Sequence, residues 1–357
     1  MPKRMNGCTK FTVMVNNKIY RSALEKVIPL IVIRDGSVLV TGASGLIGSC
    51  LVDLLMLANS YGRNFDVYAL GRNKEKMKNR FSFFDGSDML HFVEQDIQMP
   101  LDGSEQYDYI VHGASNADPR NYALYPVETM LINMSGAKNV LDYCKNHPAT
   151  RAIMLSTFEV YGNAGKDLYQ ESDAGVIDLN MIRSCYPESK RCMEILTRCY
   201  VAEYGVNAVI GRLCSIYGPT MLKDDSKAHA QFIRNALRGE DIVLKSKGEQ
   251  RRTYCYALDA VTGMLCVLGK GAVGEAYNIS SEESVVTIAE VAETVANIAG
   301  AKVVFDLPDE IEKKGFSKPQ NCILDNQKLR ALGWKEKYDI KTGLKECIDI
   351  LKENDRK

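Results

Sequence analysis

Ser37-Val-Leu-Val-Thr41-Gly42-Ala43-Ser44-Gly45-Leu46-Ile47-Gly48 is the stretch on which the fold turns. Three aliphatic residues between Ser37 and Thr41 read as a short buried strand, and the apolar run over 46–58 reads as a helix. Between them stand glycines at 42, 45 and 48. Glycine lets the chain turn tightly and lets a phosphate approach the backbone, while the helix start offers free N–H groups and a positive dipole end. The spacing is Gly-x-x-Gly-x-x-Gly, not the Gly-x-Gly-x-x-Gly of the dinucleotide fingerprint. Its place between a strand and a helix makes Gly42, Ser44, Gly45, Leu46, Ile47 and Gly48 the expected pyrophosphate cradle.

Working outward, short apolar segments over 66–70, 90–94, 109–112, 151–155 and 207–210 read as strands. Helical stretches, notably 126–144 and 186–204, separate most of them. This alternation predicts an α/β fold: a Rossmann-like, doubly wound parallel sheet covered on both faces. Beyond residue 218 helices over 228–238, 287–299 and 341–352 alternate with short strands. They predict a smaller C-terminal α/β substrate-binding lobe. The expected organisation is an N-terminal extension over 1–35, with a short helix at 20–27, and a dinucleotide-binding domain over 36–217. The region 218–357 is mainly the substrate lobe, with some segments returning to the first domain.

Bulk properties narrow the function classes. The 357 residues carry 45 Lys plus Arg against 45 Asp plus Glu, so no global field favours nucleic acid or an anionic membrane. No apolar run approaches the roughly 20 residues that a bilayer span needs, and the N-terminus lacks the apolar core of a secretory signal. Eleven cysteines, odd in number and scattered through apolar segments, read as reduced thiols of a cytoplasmic protein. There is no C-x-x-C pair and the four histidines are dispersed, so no metal site is expected.

The end of the second strand should distinguish NAD from NADP. An acidic residue there would bind the ribose 2′-OH, and an arginine would suit a 2′-phosphate. Leu70-Gly71-Arg72-Asn73 has the arginine and no carboxylate; Arg72 could pair with a phosphate or stack on adenine, so these residues leave the choice open, and the expectation taken is NAD with NADP not excluded. Asp96-Ile97, after the third strand, is placed either to contact adenine or to cap a helix. The chemistry is carried by Tyr186-Pro-Glu-Ser-Lys190, which sets a phenol and an ammonium four apart on one helix face. A neighbouring cation lowers a phenol's pKa from its ordinary value near 10. Ser156-Thr157 ends an earlier strand, where ligands of such sheets bind. The Thr157 hydroxyl can share the oxygen that Tyr186 deprotonates.

At this point the chain resembles the extended short-chain dehydrogenase/reductases of the nucleotide-sugar epimerase/dehydratase family, over about residues 36–355. The resemblance rests on the glycine loop, His112-Gly-Ala-Ser115, Asn133-x-x-Gly136-x-x-Asn139 and Ser156-Thr-Phe-Glu-Val-Tyr-Gly162. Tyr186-x-x-x-Lys190, Arg212-x-x-x-x-Tyr217-Gly-Pro219, Tyr277-Asn-Ile279 and Lys328-Leu-x-x-Leu-Gly-Trp334 complete it. It implies that Ala114, Ser115, Asn133, Tyr186 and Lys190 contact the cofactor, and that Thr157, Tyr186 and Lys190 oxidise a sugar at C4. It also implies a homodimer through the helices at 126–144 and 186–204.

From a 4-keto sugar the family proceeds to epimerisation, dehydration or decarboxylation. Dehydratases resembling this chain carry Asp then Glu after the threonine; here Phe158 precedes Glu159. UDP-glucuronate decarboxylases keep that glutamate and usually carry serine before it. Ala114-Ser-Asn-Ala-Asp-Pro-Arg-Asn121-Tyr122, Arg183-Ser-Cys-Tyr186 and Gln250-Arg-Arg252 also resemble decarboxylase segments. The resemblance thus implies a lyase that makes UDP-xylose, with Glu159 and Arg252 catalytic and Asn121, Tyr122, Arg183, Ser215 and Arg252 on the substrate. Ser215 replaces the family's usual Asn. The alternatives are a 4,6-dehydratase or 4-epimerase, or, from another class, a non-catalytic dinucleotide-binding sensor.

Overall fold

The strand before the glycine turn, β1 (Gly36–Thr41), is buried from Val38 to Thr41 and lies inside a seven-stranded sheet. In the computed structural model, which describes residues 14–306 and 320–355, its partners are β2 (Phe65–Gly71), β3 (Leu90–Glu94), β4 (Tyr109–His112), β5 (Arg151–Thr157), β7 (Ala208–Leu213) and β11 (Ala276–Ile279). The order is β11-β7-β5-β4-β1-β2-β3, with every pairing parallel. This is the doubly wound sheet expected from the alternation. The order reverses between β1 and β4, and there a crevice opens beyond the carboxyl ends of the strands.

Helices close both faces. One layer is α2 (Leu46–Asn59), buried over residues 49–58, with α8 (Ala257–Lys270); the other is α5 (Pro126–Asn146) with α6 (Cys185–Tyr204). Helix α6 stops at Gly205, whose φ of 69° is the left-handed cap that glycine adopts without strain. The α5–α6 pair leaves an apolar stripe exposed at Val127, Met130, Leu131 and Met134, with Ile195 on the neighbouring helix.

The N-terminal α1 (Lys18–Val27) begins two residues earlier than expected, because Asn17 caps it by accepting from the Tyr20 amide. It packs on α2, α8 and the last helix, α11 (Ile340–Asp355). The fully buried Asp53 of α2 pairs with Arg80 at 2.5 Å, at the end of α3 (Lys74–Arg80), and accepts from the Tyr20 hydroxyl at 3.0 Å. Residues 1–13 of the N-terminal extension lie outside the described residues, as do 307–319 and 356–357 of the C-terminal region.

Beyond residue 214 the strands are short. β8 (Ser215–Tyr217), β10 (Arg251–Tyr256) and β12 (Val285–Thr287) form a three-stranded sheet. β6 (Leu168–Tyr169) pairs with β14 (Ile323–Leu324), and β9 (Ile242–Leu244) with β13 (Val303–Phe305). Two helices join them: α7 (Ala228–Arg238), and α9 (Ile288–Ala299), which Thr287 starts through a capping box with Glu290. The chain returns to the large sheet with α8 and β11. Among the described residues, no helix is long and apolar enough to cross a membrane.

Candidate active site

A cleft of about 830 Å³ opens at the carboxyl end of the large sheet. Its inner end is made mostly of backbone. Gly42 has φ +72°, and a Cβ there would meet the Gly113–Ala114 backbone at 3.0 Å; a Cβ on Gly48 would come within 2.4 Å of the Gly42 carbonyl oxygen. Side chains are thus excluded at 42 and 48, and α2 starts at Gly45 with no side chain capping its first amides. Those amides remain available to an anion.

Thr41 Oγ1 accepts the Gly113 and Ala114 amides at 3.1 and 3.2 Å, so its own proton goes to His112 Nδ1 at 3.0 Å. This knits the ends of β1 and β4 together. Burial, with the Lys190 charge adding to it, pushes His112 down to about 3 and keeps the ring neutral. At the outer end stand Arg72, Asp96 and Ile97. Asp96 lines the cleft and accepts the Gln98 amide at 3.0 Å, which closes a turn rather than starting a helix. Glu94, at the end of β3, is engaged with the Lys74 amide at 3.1 Å.

The reacting groups meet where β5 ends. Thr157 is the strand's last residue, and its side chain neighbours the Tyr186 hydroxyl from the first turn of α6. Tyr186 is buried, and burial, with Glu159 adding to it, raises the phenol well above its ordinary value; the Thr157 side chain acts the other way. Lys190 does not offset this as the sequence suggests. Its Nζ donates to the Leu155 carbonyl at 2.8 Å, and burial lowers it to about 8 against the supporting charge of Glu194.

The other end of the cleft is built from side chains. Glu159 Oε2 accepts from Arg183 at 3.1 Å, and the same guanidinium nitrogen reaches the Tyr122 hydroxyl at 3.2 Å. The Tyr122 ring stacks on Tyr186, with centroids 5.1 Å apart. Arg252, on β10, lies 5.9 Å from the Phe158 ring centroid, and its Nε is buried without a hydrogen-bond partner. Asn121 and Ser215 also line this end.

Of the site residues expected from the sequence, only Asn133 does not line the cleft. It is fully buried and its amide donates to Ser189 at 2.9 Å, one residue before Lys190; the α5–α6 packing takes the side chain out of reach of the cleft. The sequence reading missed the latch across the mouth. Asp118 caps the short α4 (Pro119–Leu124) and accepts both the amide and the hydroxyl of Ser226, at 2.7 and 3.0 Å. The Asp118-Pro119 pair does carry a helix-start signal. Nothing local marks Ser226, nor Asp225, Lys227 and His229, which also line the cleft.

The glycine turn, the uncapped α2 amides, Arg72 and the unpartnered buried hydroxyl of Ser115 together fit a dinucleotide lying along this cleft. The family model described as the NAD dependent epimerase/dehydratase family matches residues 38–280. The chain is 33% identical over 312 residues to UDP-glucuronic acid decarboxylase 6 of Arabidopsis thaliana, covering 86% of each protein. Against UDP-glucuronic acid decarboxylase 1 of Xenopus tropicalis the identity is 29%, covering 88% of this chain and 72% of the relative. Among solved structures, the dTDP-glucose 4,6-dehydratase DesIV of Streptomyces venezuelae, with NAD and TYD bound, superposes with a TM-score of 0.74 at 26% identity, covering 89% of this chain and 97% of the other. The UDP-glucose 4-epimerase of Thermotoga maritima shares the fold at a TM-score of 0.74 and 24% identity, covering 89% and 99%.

Proposed function

Because the chain belongs to the NAD-dependent epimerase/dehydratase family, we propose that it oxidises a nucleotide-activated hexuronic acid at C4 and decarboxylates it, converting UDP-glucuronate to UDP-xylose. NAD, when bound along the glycine turn, supplies the oxidation and the later reduction. The Leu46 and Ile47 amides hold its pyrophosphate, Arg72, Asp96 and Ile97 flank its adenosine, and Ala114, Ser115, Tyr186 and Lys190 line the nicotinamide end. Thr157 and Tyr186, set side by side, grip the C4 oxygen. Tyr186 first releases its own proton to solvent; as the phenolate it accepts the hydroxyl proton, and the Lys190 ammonium, one turn along the helix, is the charge that favours that form during the reaction. A 4-keto uronate is a β-keto acid: the C5–C6 bond breaks, CO2 leaves, and the electron pair moves into the C4 carbonyl as an enolate. C5 then takes a proton from a positioned donor.

The observation that carries this reading is the Glu159–Arg183 ion pair beside Tyr186 and Thr157. A lone carboxylate would repel a uronate, whereas one already neutralised by arginine can stand near a second carboxylate and move a proton at C5. Arg252 supplies a further cation there, and Asn121, Tyr122 and Ser215 shape the sugar pocket. Residues 36–217 form the dinucleotide domain and 218–357 mainly the sugar lobe. Incubation with NAD and UDP-glucuronate should release CO2 and a UDP-pentose; a C4 epimer without CO2 would mark an epimerase, and no reaction with any nucleotide sugar a sensor.

The exposed stripe on α5, at Val127, Met130, Leu131 and Met134, with Ile195 of α6, fits a homodimer in which these helices pair with their equals. Light scattering should give twice the chain mass, and Leu131→Glu should return it to one. Among the described residues, seven buried free thiols suit a reducing, cytoplasmic compartment.

A further inference from the structure

Three contacts run in step between α6 and the end of β5, two of them hydrogen bonds. Tyr186 neighbours the Thr157 side chain, Lys190 donates to the Leu155 carbonyl at 2.8 Å, and Glu194 accepts from the Ser156 hydroxyl at 2.6 Å. The three helix residues are spaced four apart, so they share one face. The first two belong to the reaction described above. Glu194 does not line the cleft, and its buried carboxylate has no part in that chemistry.

Arg212 on β7 pairs in register with Ser156 on β5 and grips Glu194 through two bonds, 2.9 Å from Nε and 2.7 Å from a terminal nitrogen. A third bond, from Arg212 to the Glu171 carbonyl at 2.9 Å, fixes the guanidinium. Both side chains of the pair are at least nine-tenths buried. Burying two charges is costly, and such a pair is not by itself a source of stability. Its position, one turn beyond Lys190, suggests a purpose.

We propose that Glu194 is a positioning residue for the reaction: its carboxylate fastens α6 to β5 and β7 and holds the neighbouring Lys190 ammonium in its charged form. This rests on the roles given above to Tyr186 and Lys190. The groups facing Lys190 are few. From β5 comes the Leu155 carbonyl, from β4 the neutral His112, from α6 itself the protonated phenol of Tyr186 and Glu194. Of these, only Glu194 brings a negative charge. Glu194 in turn faces Arg212 from β7, Ser156 from β5 and, at 3.6 Å, Arg198 from the outer part of α6. Burial alone drives Lys190 toward the neutral amine, and Glu194 opposes it.

The test reads Lys190 directly in the full chain with NAD bound, by competitive labelling with acetic anhydride across pH 6 to 10 and mass spectrometry of its peptide. In Glu194→Gln the midpoint of Lys190 should fall by about one pH unit, and the alkaline limb of turnover should move down with it. A merely structural loosening would admit water and move Lys190 up instead. Since Glu194→Gln leaves Arg212 buried and unpaired, the double variant Glu194→Gln/Arg212→Gln removes both charges; its Lys190 midpoint should also fall, and Glu194→Asp should recover most of the shift. An unchanged or raised midpoint in the folded double variant overturns the proposal. Wild-type protein inert toward nucleotide sugars would overturn the functional reading alone, because the labelling needs no substrate.

Discussion

The two ends of the cleft are built from different materials. At the dinucleotide end the working surface is backbone: glycines at 42 and 48 leave no room for a Cβ, and the α2 amides face the crevice uncapped. At the sugar end it is side chains: Glu159, Arg183, Tyr122 and Arg252 come from four separate segments and meet only in the folded chain. A backbone site tolerates no substitution at its glycines but is indifferent to many neighbours. A side-chain site can change its substrate by single replacements while the fold stays fixed. The similarity of this chain to decarboxylases, and its shared fold with a dehydratase and an epimerase, follows from that division.

The sharpest way to separate the ends is Tyr186→Phe. Removing the phenol proposed as the proton acceptor should lower turnover by about 10³-fold or more while NAD binding, followed by nucleotide fluorescence or calorimetry, stays within a few-fold of wild type. Parallel loss of binding would mean that the two ends are not independent. The complementary variant is Gly48→Val. Its Cβ would collide with the Gly42 carbonyl, so overpacking of about 1–3 kcal/mol should fall on the turn, and NAD affinity should drop about tenfold or more. Unaltered affinity would remove the turn from the cofactor site.

Glu159→Gln probes the sugar end alone. The carboxylate is lost but the side-chain shape is kept, so CO2 release should fall about 10²-fold while exchange at C4 changes little. Equal loss in both would place Glu159 in the C4 step.

The reach of the sequence followed the same division. Gly42-x-x-Gly45-x-x-Gly48 and the strand-helix alternation are local patterns, so the parallel sheet and the turn were legible in them. Tyr186 and Lys190 were legible as a pair by their spacing, but not the direction of the lysine. Its ammonium is taken by the Leu155 carbonyl, a partner 35 residues away in sequence, so the phenol is governed by burial rather than by its expected cation. Asn133, expected as a cofactor contact, is buried with its amide on the Ser189 hydroxyl and does not line the cleft, a matter of α5–α6 packing that its spacing in the sequence does not report. The Asp118–Ser226 latch joins positions 108 apart in the chain, and no local pattern could announce it.

Two smaller effects sharpen the picture. With Lys190 lowered to about 8, its ammonium is present below that pH and lost above it, so turnover should decline on the alkaline side of about pH 8. The sign for stability is opposite. Between about 8 and the value near 10.4 of an unfolded lysine, the unfolded chain binds the extra proton, so this group favours the fold more as pH rises through that window. A flat rate profile through pH 9 would deny Lys190 its charge-supplying role. Smallest of all, Asp118→Ala should unfasten the mouth and raise KM about threefold through lost hydrogen bonds, with kcat nearly unchanged.

The most direct measurement uses UDP-glucuronate carrying deuterium at C4. Oxidation and reduction at one carbon within one closed site require a UDP-pentose that keeps its C4 deuterium and gains a single solvent hydrogen at C5, with one CO2 released per sugar. Deuterium lost to solvent, or a C4-epimeric hexuronate formed without CO2, would contradict the account.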